Sequence, residues 1–275
     1  MAVTTFYDHA MDIGRQEKIS AAKAMNLLKE MDITRYEVLS PGLKDGLDDV
    51  LRNFKESRTG ISSLCAFFDF TGEEDADGQI GRMLSWADTL GAQRMLIIPG
   101  FYAQHDTQAK RQEKDKRLLN GVQRLVKRAA AEGIRLLMEE FDNFLSPIST
   151  IAALKTVLDV VPEIDCAFDT GNFAYNDESE LEAYDAFRDR ITFVHLKDRA
   201  LQRPSKGGEV LKTVGGRKLY PSPVGGGCIA IDKIITRLQA DGYQGDYAIE
   251  HFGTPCQLSF HRQSVQWIRE HVPQS

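Results

Sequence analysis

Polar side chains suited to binding a metal follow four short apolar segments of this chain, each at the C-terminal end of its segment. The segments cover residues 134–138, 166–168, 191–194 and 247–249, and each is typical of a buried strand. The residues that follow them are Glu139, Asp169, His195 and Glu250. In barrels of parallel strands, the catalytic residues lie at the carboxyl ends of the strands. The pattern therefore favours a barrel of this kind.

Segments of β type alternate with helical segments along the whole chain. Besides the four strands above, we predict strands at 4–9, 36–39, 61–68 and 94–98. Helices are predicted at 21–31, 47–56, 77–90, 107–132, from Ser146-Pro147 onward, 178–187, 231–240 and 258–271. A Gly-, Lys- and Pro-rich loop is predicted from about Arg199 to Gly227.

Repeated strand–helix pairs predict a parallel sheet with helical crossovers. The chain has 275 residues, and eight such pairs at this length indicate a closed barrel rather than an open sheet. We therefore expect an α/β protein that forms a single (β/α)8 TIM barrel over residues 1–275, with its pocket at the carboxyl ends of the strands.

Net charge and composition narrow the possible partners and the compartment. The formal net charge of −6 disfavours nucleic acid as a partner, and no apolar stretch approaches the ~20 residues of a membrane span. The N-terminus lacks the pattern of a signal peptide, and the four cysteines form no CxxC pair. We expect a cytoplasmic protein without disulfides that binds neither membrane nor nucleic acid.

Two Glu, one Asp and one His are a suitable ligand set for a divalent metal. A single carboxylate at a strand end could equally cap the following helix, but four such residues together favour a metal site. Glu139 and Glu140 are adjacent, so strand alternation sends them to opposite sides and only one can face the barrel axis. The residues alone leave that choice open.

The chain resembles the xylose-isomerase-like TIM barrels, in particular the sugar phosphate isomerase/epimerase family, over nearly its whole length. The resemblance rests on five motifs in the same order, each on the expected element. These are Gly133–Glu139, Phe168–Asn172, Phe193–Asp198, Ser222–Gly227 and Gly242–Glu250.

The resemblance implies one divalent metal held by Glu139, Asp169, His195 and Glu250, with Glu139 preferred over its neighbour Glu140. Ligands of oxygen and imidazole without thiolate suit Mn²⁺ best, with Mg²⁺, Co²⁺ or Zn²⁺ as alternatives. In family members that epimerise ketoses, the two glutamates also form the acid–base pair. A His often stands three residues beyond the metal Asp in those members.

In this sequence the position three residues beyond Asp169 is Asn172, which cannot carry a proton. The other predicted substrate-binding residues are His9 at the end of the first strand, Glu37, Lys197 and Arg217. Glu37 could instead be a solvent-facing cap, and Arg217 a solvated loop cation. Arg217 would otherwise bind a phosphate or carboxylate of the substrate.

These residues predict proton transfer at a carbon next to a carbonyl. A metal that bridges the carbonyl and a neighbouring hydroxyl stabilises the enediolate, and a carboxylate near each face of the carbon removes and returns the proton. We expect an isomerase or epimerase acting on a small sugar, sugar phosphate or related polyhydroxy carbonyl compound, and a homo-oligomer is possible. An inosose-type dehydratase would use the same site.

A DNA-repair enzyme resembling endonuclease IV shares the fold but needs several extra histidines. Asn172 stands at one of those positions, and the loop Arg199–Gly227 contains no His. The acidic net charge also disfavours this alternative.

Overall fold

Eight parallel strands close into a barrel in the computed structural model, which describes residues 2–73 and 75–272. Strands β1 to β7 pair in parallel in chain order, β10 closes the ring by pairing with β7 and β1, and β8 and β9 form a hairpin beyond β7. Their bounds are β1 (Val3–Phe6), β2 (Arg35–Leu39), β3 (Gly60–Phe67), β4 (Arg94–Ile98), β5 (Arg135–Met138), β6 (Asp165–Asp169), β7 (Ile191–Ala200), β8 (Leu211–Lys212), β9 (Lys218–Ser222) and β10 (Tyr247–Glu250). The predicted (β/α)8 barrel is confirmed.

The helices surround the barrel and bury their apolar faces against it. They are α1 (Tyr7–Glu17), α2 (Ala21–Lys29), α3 (Leu43–Ser57), α4 (Ala76–Leu90), α5 (Gln108–Ala131), α6 (Ile151–Val160), α7 (Glu180–Phe187), α8 (Ile231–Ala240) and α9 (Gln257–His271). Side-chain caps begin several of them, as where the Thr107 hydroxyl accepts from the Lys110 amide at the start of α5. No helix among the described residues is both long and apolar enough to cross a bilayer.

Small and medium apolar side chains fill the middle of the barrel. Because successive residues of a strand point to opposite faces, every second residue faces the axis. The buried residues of this interior cluster are Cys65, Leu96, Ile98, Leu137, Ala167, Phe193 and Ala248. A larger cluster packs the outer faces of the strands against the helices, so the barrel wall is buried on both sides.

Paired charges occupy the amino-terminal end of the barrel. The Asp246 carboxylate binds the guanidinium groups of Arg35 at 3.0 Å and Arg94 at 2.9 Å, and Arg135 pairs with Asp165 at 3.1 Å. A cavity of about 650 Å³ lies here, lined in part by Arg94, Arg135 and Asp246. Arg94, Arg135 and Asp246 are thus engaged in ion pairs with residues of the protein itself.

The first predicted strand, 4–9, is wrong at its end. Strand β1 stops at Phe6, and α1 begins at Tyr7. The buried residues Tyr7, Ala10 and Ile13 recur at helical spacing, which overrides the β-type reading of the segment. His9 therefore lies in the first helical turn and not at a strand end.

Other boundaries also differ from the prediction, and α3 begins at Leu43 rather than at residue 47. Helix α6 begins at Ile151, because the Thr150 hydroxyl caps the amide of Ala153 at 3.1 Å, whereas Ser146 only accepts from Ile148 in a local turn. The predicted loop 199–227 also contains regular structure. Strand β7 continues to Ala200 and pairs antiparallel with β9, so this segment is an ordered hairpin beside the barrel mouth.

Candidate metal centre

Three ligand atoms converge at the carboxyl-terminal end of the barrel. Glu139 follows β5, Asp169 ends β6, and His195 lies within β7. Each offers one ligand atom, and these atoms lie within 4.8 Å of one another. All three residues are buried. The neighbouring parallel strands thus bring together residues that are far apart in sequence, at the end where the pattern predicted them.

Glu37 fixes the orientation of the His195 ring. The Glu37 Oε1 atom lies 2.8 Å from His195 Nε2, and its Oε2 accepts a hydrogen bond of 2.5 Å from the Ser63 hydroxyl. A carboxylate on Nε2 favours the tautomer with the proton there, so the Nδ1 lone pair faces the other ligands. Glu37 is fully buried, so its interpretation as a solvent-facing cap is wrong.

One oxygen of the Asp169 carboxylate is held by backbone hydrogen bonds, and the other has no hydrogen-bond partner among the described residues. Its Oδ1 accepts hydrogen bonds of 2.7 Å from the backbone amides of Gly171 and Asn172. Only glycine fits at position 171, since a Cβ there would lie 2.6 Å from the backbone oxygen of Lys197. The tight turn after β6 therefore aims Asp169 Oδ2 toward the ligand cluster.

The unsatisfied atoms of the cluster fit a divalent cation. Glu139 Oε2, Asp169 Oδ2 and His195 Nδ1 are buried and lack hydrogen-bond partners among the described residues. Glu139 Oε2 lies 2.8 Å from His195 Nδ1 but without the alignment of a hydrogen bond. Buried polar atoms are nearly always satisfied in native proteins, and a metal would satisfy all three at once.

Glu250 borders this cluster and is also bound by Lys197. Its Oε2 lies 3.3 Å from His195 Nδ1, and its Oε1 lies 2.6 Å from Lys197 Nζ. The same ammonium contacts Asn172 Oδ1 at 2.5 Å and lies 3.6 Å from Asp169 Oδ2. The role of Glu250 as a fourth ligand remains a prediction, while Lys197 and Asn172 are placed beside the cluster.

Burial and neighbouring charges shift the titration of these groups in different directions. Burial raises the pKa of Glu139 and raises the pKa of Asp169 to about 7. Burial also opposes ionisation of Glu250, but Lys197 and His195 together hold the pKa of Glu250 below its usual range. Despite burial, Glu37 and Glu139 raise the pKa of His195.

Three other predicted residues are not brought into the cluster. His9 is buried on α1, where its ring and that of His195 both pack edge-on against Phe6. Arg217 is half exposed and pairs with Asp177 at 2.6 Å. Glu140, the alternative to Glu139, is buried with both carboxylate oxygens unpartnered among the described residues, and burial raises its pKa.

An ion pair beside the site escaped the sequence analysis. Asp142 Oδ2 lies 2.8 Å from Arg199 Nη2 and 3.6 Å from Lys197 Nζ. Residues 195, 197 and 199 alternate along β7 and face the same side, which is a signal that the sequence does contain. Strand β7 thus extends a line of cationic and imidazole groups from the cluster toward the barrel mouth.

Asp198 lies between Lys197 and Arg199 on β7, so its side chain faces the opposite side of the strand. There it binds the turn that contains Gly225, Gly226 and Gly227. Its carboxylate accepts hydrogen bonds from the backbone amides of Gly227 at 2.9 Å and Ile229 at 3.2 Å. Because these two backbone amides already donate to Asp198, they are not free to bind an anionic group of a ligand.

Replacing Glu37 with Gln should weaken metal binding without unfolding the barrel. A neutral amide no longer fixes the His195 tautomer, and loss of such a supporting carboxylate typically costs about 10–100-fold in metal affinity. Titration with Mn²⁺, followed by calorimetry, measures the change. Glu56→Gln on the exposed face of α3 is the matched control, and Asp169→Asn should abolish binding. Wild-type affinity in Glu37→Gln would contradict the assignment.

Metal affinity should also fall as the pH drops below about 7. The raised pKa of Asp169 means that its carboxyl holds a proton below that pH, and the metal must displace it. Calorimetric titrations in buffers of different ionisation enthalpy would show proton release on binding at pH 6 and less at pH 8. Equal affinity and equal proton release at both pH values would refute this.

Comparison with known sequences identifies the family. A family profile described as xylose isomerase-like TIM barrel matches residues 23–271. An inosose dehydratase from Lacticaseibacillus casei is 28% identical over 148 residues, which is 52% of this chain and 49% of that protein. The chain therefore matches only about half the length of this curated relative.

Solved structures of the same fold cover the whole chain. A D-allulose 3-epimerase from Methylomonas sp. has a TM-score of 0.72 at 14% identity, covering 99% of this chain and 98% of the other. The IolI protein with a bound zinc atom has a TM-score of 0.71 at 15% identity, covering 100% of both chains. These low identities show a shared fold alone. The family profile matches most of the chain, and the protein therefore belongs to the xylose isomerase-like TIM barrel family.

Proposed function

We propose that this protein is a divalent-metal-dependent isomerase or epimerase of sugar-like polyhydroxy carbonyl compounds. The observation that carries the proposal is the convergence of unpartnered ligand atoms from Glu139, Asp169 and His195 beside a further carboxylate, Glu250. Such a set supplies both a metal site and two carboxylates next to it. Both are needed to move a proton at a carbon adjacent to a carbonyl.

Glu139, Asp169 and His195 would hold the metal, with Glu250 as the fourth ligand. A bound Mn²⁺, or Mg²⁺, Co²⁺ or Zn²⁺ in its place, supplies Lewis acidity toward a carbonyl oxygen. The protein fixes the ligands beforehand, through Glu37 on His195 and the turn after β6 on Asp169. This preorganisation reduces the rearrangement that binding requires.

The two glutamates would move the substrate proton. Glu139 stands after β5 and Glu250 ends β10, on either side of His195, and both approach its Nδ1 atom, at 2.8 and 3.3 Å. Two carboxylates that reach one small space from different strands can address both sides of a substrate carbon. Lys197 keeps Glu250 ionised, as a base requires.

Lys197 and Asn172 would bind substrate hydroxyl or carbonyl oxygens. Asn172 donates from Nδ2 to the backbone oxygen of Glu140 at 2.7 Å and accepts from Lys197. It therefore links the ends of three strands and positions the ammonium group. Arg217 is engaged with Asp177, so we assign the substrate contacts to Lys197 and Asn172.

A dehydratase acting on an inosose-like ketone is the second candidate. The inosose dehydratase relative supports it, since such a reaction also begins with removal of an α-proton. Lys197 Nζ, 2.6 Å from Glu250, places a cationic donor where it can hydrogen-bond a departing hydroxyl. An endonuclease activity is disfavoured by the formal net charge of −6.

A deuterium-exchange experiment tests the proposal. The Mn²⁺-loaded protein is incubated in D₂O with ketoses, sugar phosphates and an inosose, and each compound is followed by mass spectrometry. Deuterium uptake reports α-proton removal even without net product, and loss of the mass of water identifies the dehydratase. No uptake and no dehydration across the panel would contradict the proposal.

Glu139→Gln and Glu250→Gln should each slow deuterium uptake by about 10²–10⁴-fold, the usual contribution of a positioned acid or base. Each variant must first be reconstituted with excess Mn²⁺ and confirmed to hold it, because both residues are also proposed ligands. Glu56→Gln serves as the exposed control. A metal-loaded variant that exchanged deuterium at the wild-type rate would exclude that glutamate as a proton carrier and assign the exchange to another base.

A further inference from the structure

We propose that Phe67, Phe101 and Phe141 form an apolar wall that makes this site select a saturated-ring substrate over an open-chain one. The inference rests on the proposed function, because it concerns the substrate of the same site. It assigns a role in specificity to three residues that lie outside the ligand cluster.

The three rings stand at the carboxyl-terminal mouth of the barrel. They are partly buried and pack on the interior cluster, above Cys65, Ile98 and other barrel-filling residues. Phe141 makes edge-on contacts with both of the others, with ring centroids 6.1 Å from Phe67 and 5.4 Å from Phe101. Together they form one contiguous aromatic surface at the carboxyl ends of β3, β4 and β5.

The topology of the barrel sets this surface across from the polar residues. In the closed ring β3 lies four strands from β7, so Phe67 stands opposite Lys197. Likewise β4 lies four strands from β10, so Phe101, just beyond β4, stands opposite Glu250. A molecule bound between the two sides meets aromatic rings on one side and charged groups on the other.

A tight turn holds Phe101 in place. Gly100 has a φ of 122°, and a Cβ there would lie 2.9 Å from the Thr71 hydroxyl. The same hydroxyl donates to the backbone oxygen of Phe101 at 2.8 Å. The position of the aromatic wall is thus fixed by the backbone, which suits a surface that must discriminate between shapes.

The opposite side offers hydrogen-bonding groups. Lys197 and Asn172 lie beside the ligand cluster, and Arg199 follows on β7, where it pairs with Asp142 from the loop after β5. Arg199 Nε is buried without a hydrogen-bond partner in the described part of the chain. This side can therefore satisfy several oxygens of a ligand, while the three phenyl rings can satisfy none.

A saturated ring with equatorial hydroxyls matches this division. Its hydroxyls project from the rim, and its axial C–H bonds cover both faces, so a face can lie on an aromatic surface while the rim binds polar groups. An open-chain ketose carries hydroxyls along both sides of its length. Some would face the phenylalanines and lose hydrogen bonds to water without replacement, which costs binding energy.

Binding of myo-inositol, a ring without a ketone, tests the wall separately from catalysis. Saturation-transfer NMR on the full chain loaded with diamagnetic Mg²⁺ should show the strongest transfer to axial C–H protons. Phe141→Leu and Phe67→Leu should each weaken binding about threefold to tenfold, the range expected for loss of an aromatic contact. Phe144→Leu, at a half-exposed ring outside the wall, should bind as the wild type does.

The exchange reaction supplies the second measurement. An inosose should take up deuterium faster than erythrulose, a ketose that cannot close to a hemiketal ring, and Phe141→Leu should reduce that ratio. The wall is refuted if myo-inositol does not bind, if both Leu variants bind it like the wild type, or if erythrulose reacts as fast as the inosose. Failure of every ketone to exchange would instead refute the proposed function. The binding of myo-inositol would still test whether the three phenylalanines contact a ring.

Discussion

Burial of several carboxylates at one level of the barrel is the constraint on which the rest of the site depends. The buried groups at this level are Glu37, Glu139, Asp169 and Glu250, with His195 and Lys197 as the neighbouring cations. Removing such charges from water is costly unless each is paired or coordinated. A divalent cation at the three unpartnered ligand atoms offsets that cost, so the folded barrel and its metal are expected to stabilise one another.

Strand alternation turns this constraint into a layered interior. Along β7, Phe193 fills the apolar middle, His195 joins the ligands, and Lys197 and Arg199 extend the line toward the mouth. The segment of β5 and the residues after it repeat this order, with Leu137 in the apolar middle, Glu139 among the ligands and Phe141 above it. The ion pairs of Asp246 lie at the base. Ion pairs, apolar packing residues, candidate metal ligands and the residues of the mouth therefore follow one another along the barrel axis.

The barrel and the ligand cluster could be predicted from the sequence. Strand ends are visible as breaks after apolar runs, and parallel strands bring their carboxyl ends together. The role of Glu37 in orienting His195 could not be predicted from the sequence. The two residues are 158 positions apart, and only the pairing of the strands brings them together. His9 was misplaced because a short apolar segment suits strand and helix alike. The ion pair of Arg217 with Asp177 could not be predicted either. It depends on the β8–β9 hairpin, which the periodicity of the sequence does not reveal.

The thermal stability of the full chain with and without metal tests the central claim most directly. The account predicts that Mn²⁺ added to chelator-treated protein raises the unfolding midpoint progressively above Kd, with a stabilisation of about 4 kcal/mol at roughly a thousand times Kd. Asp169→Asn, which removes one ligand charge, should show no such rise. An identical midpoint for the wild type in chelator and in saturating Mn²⁺ would contradict the account.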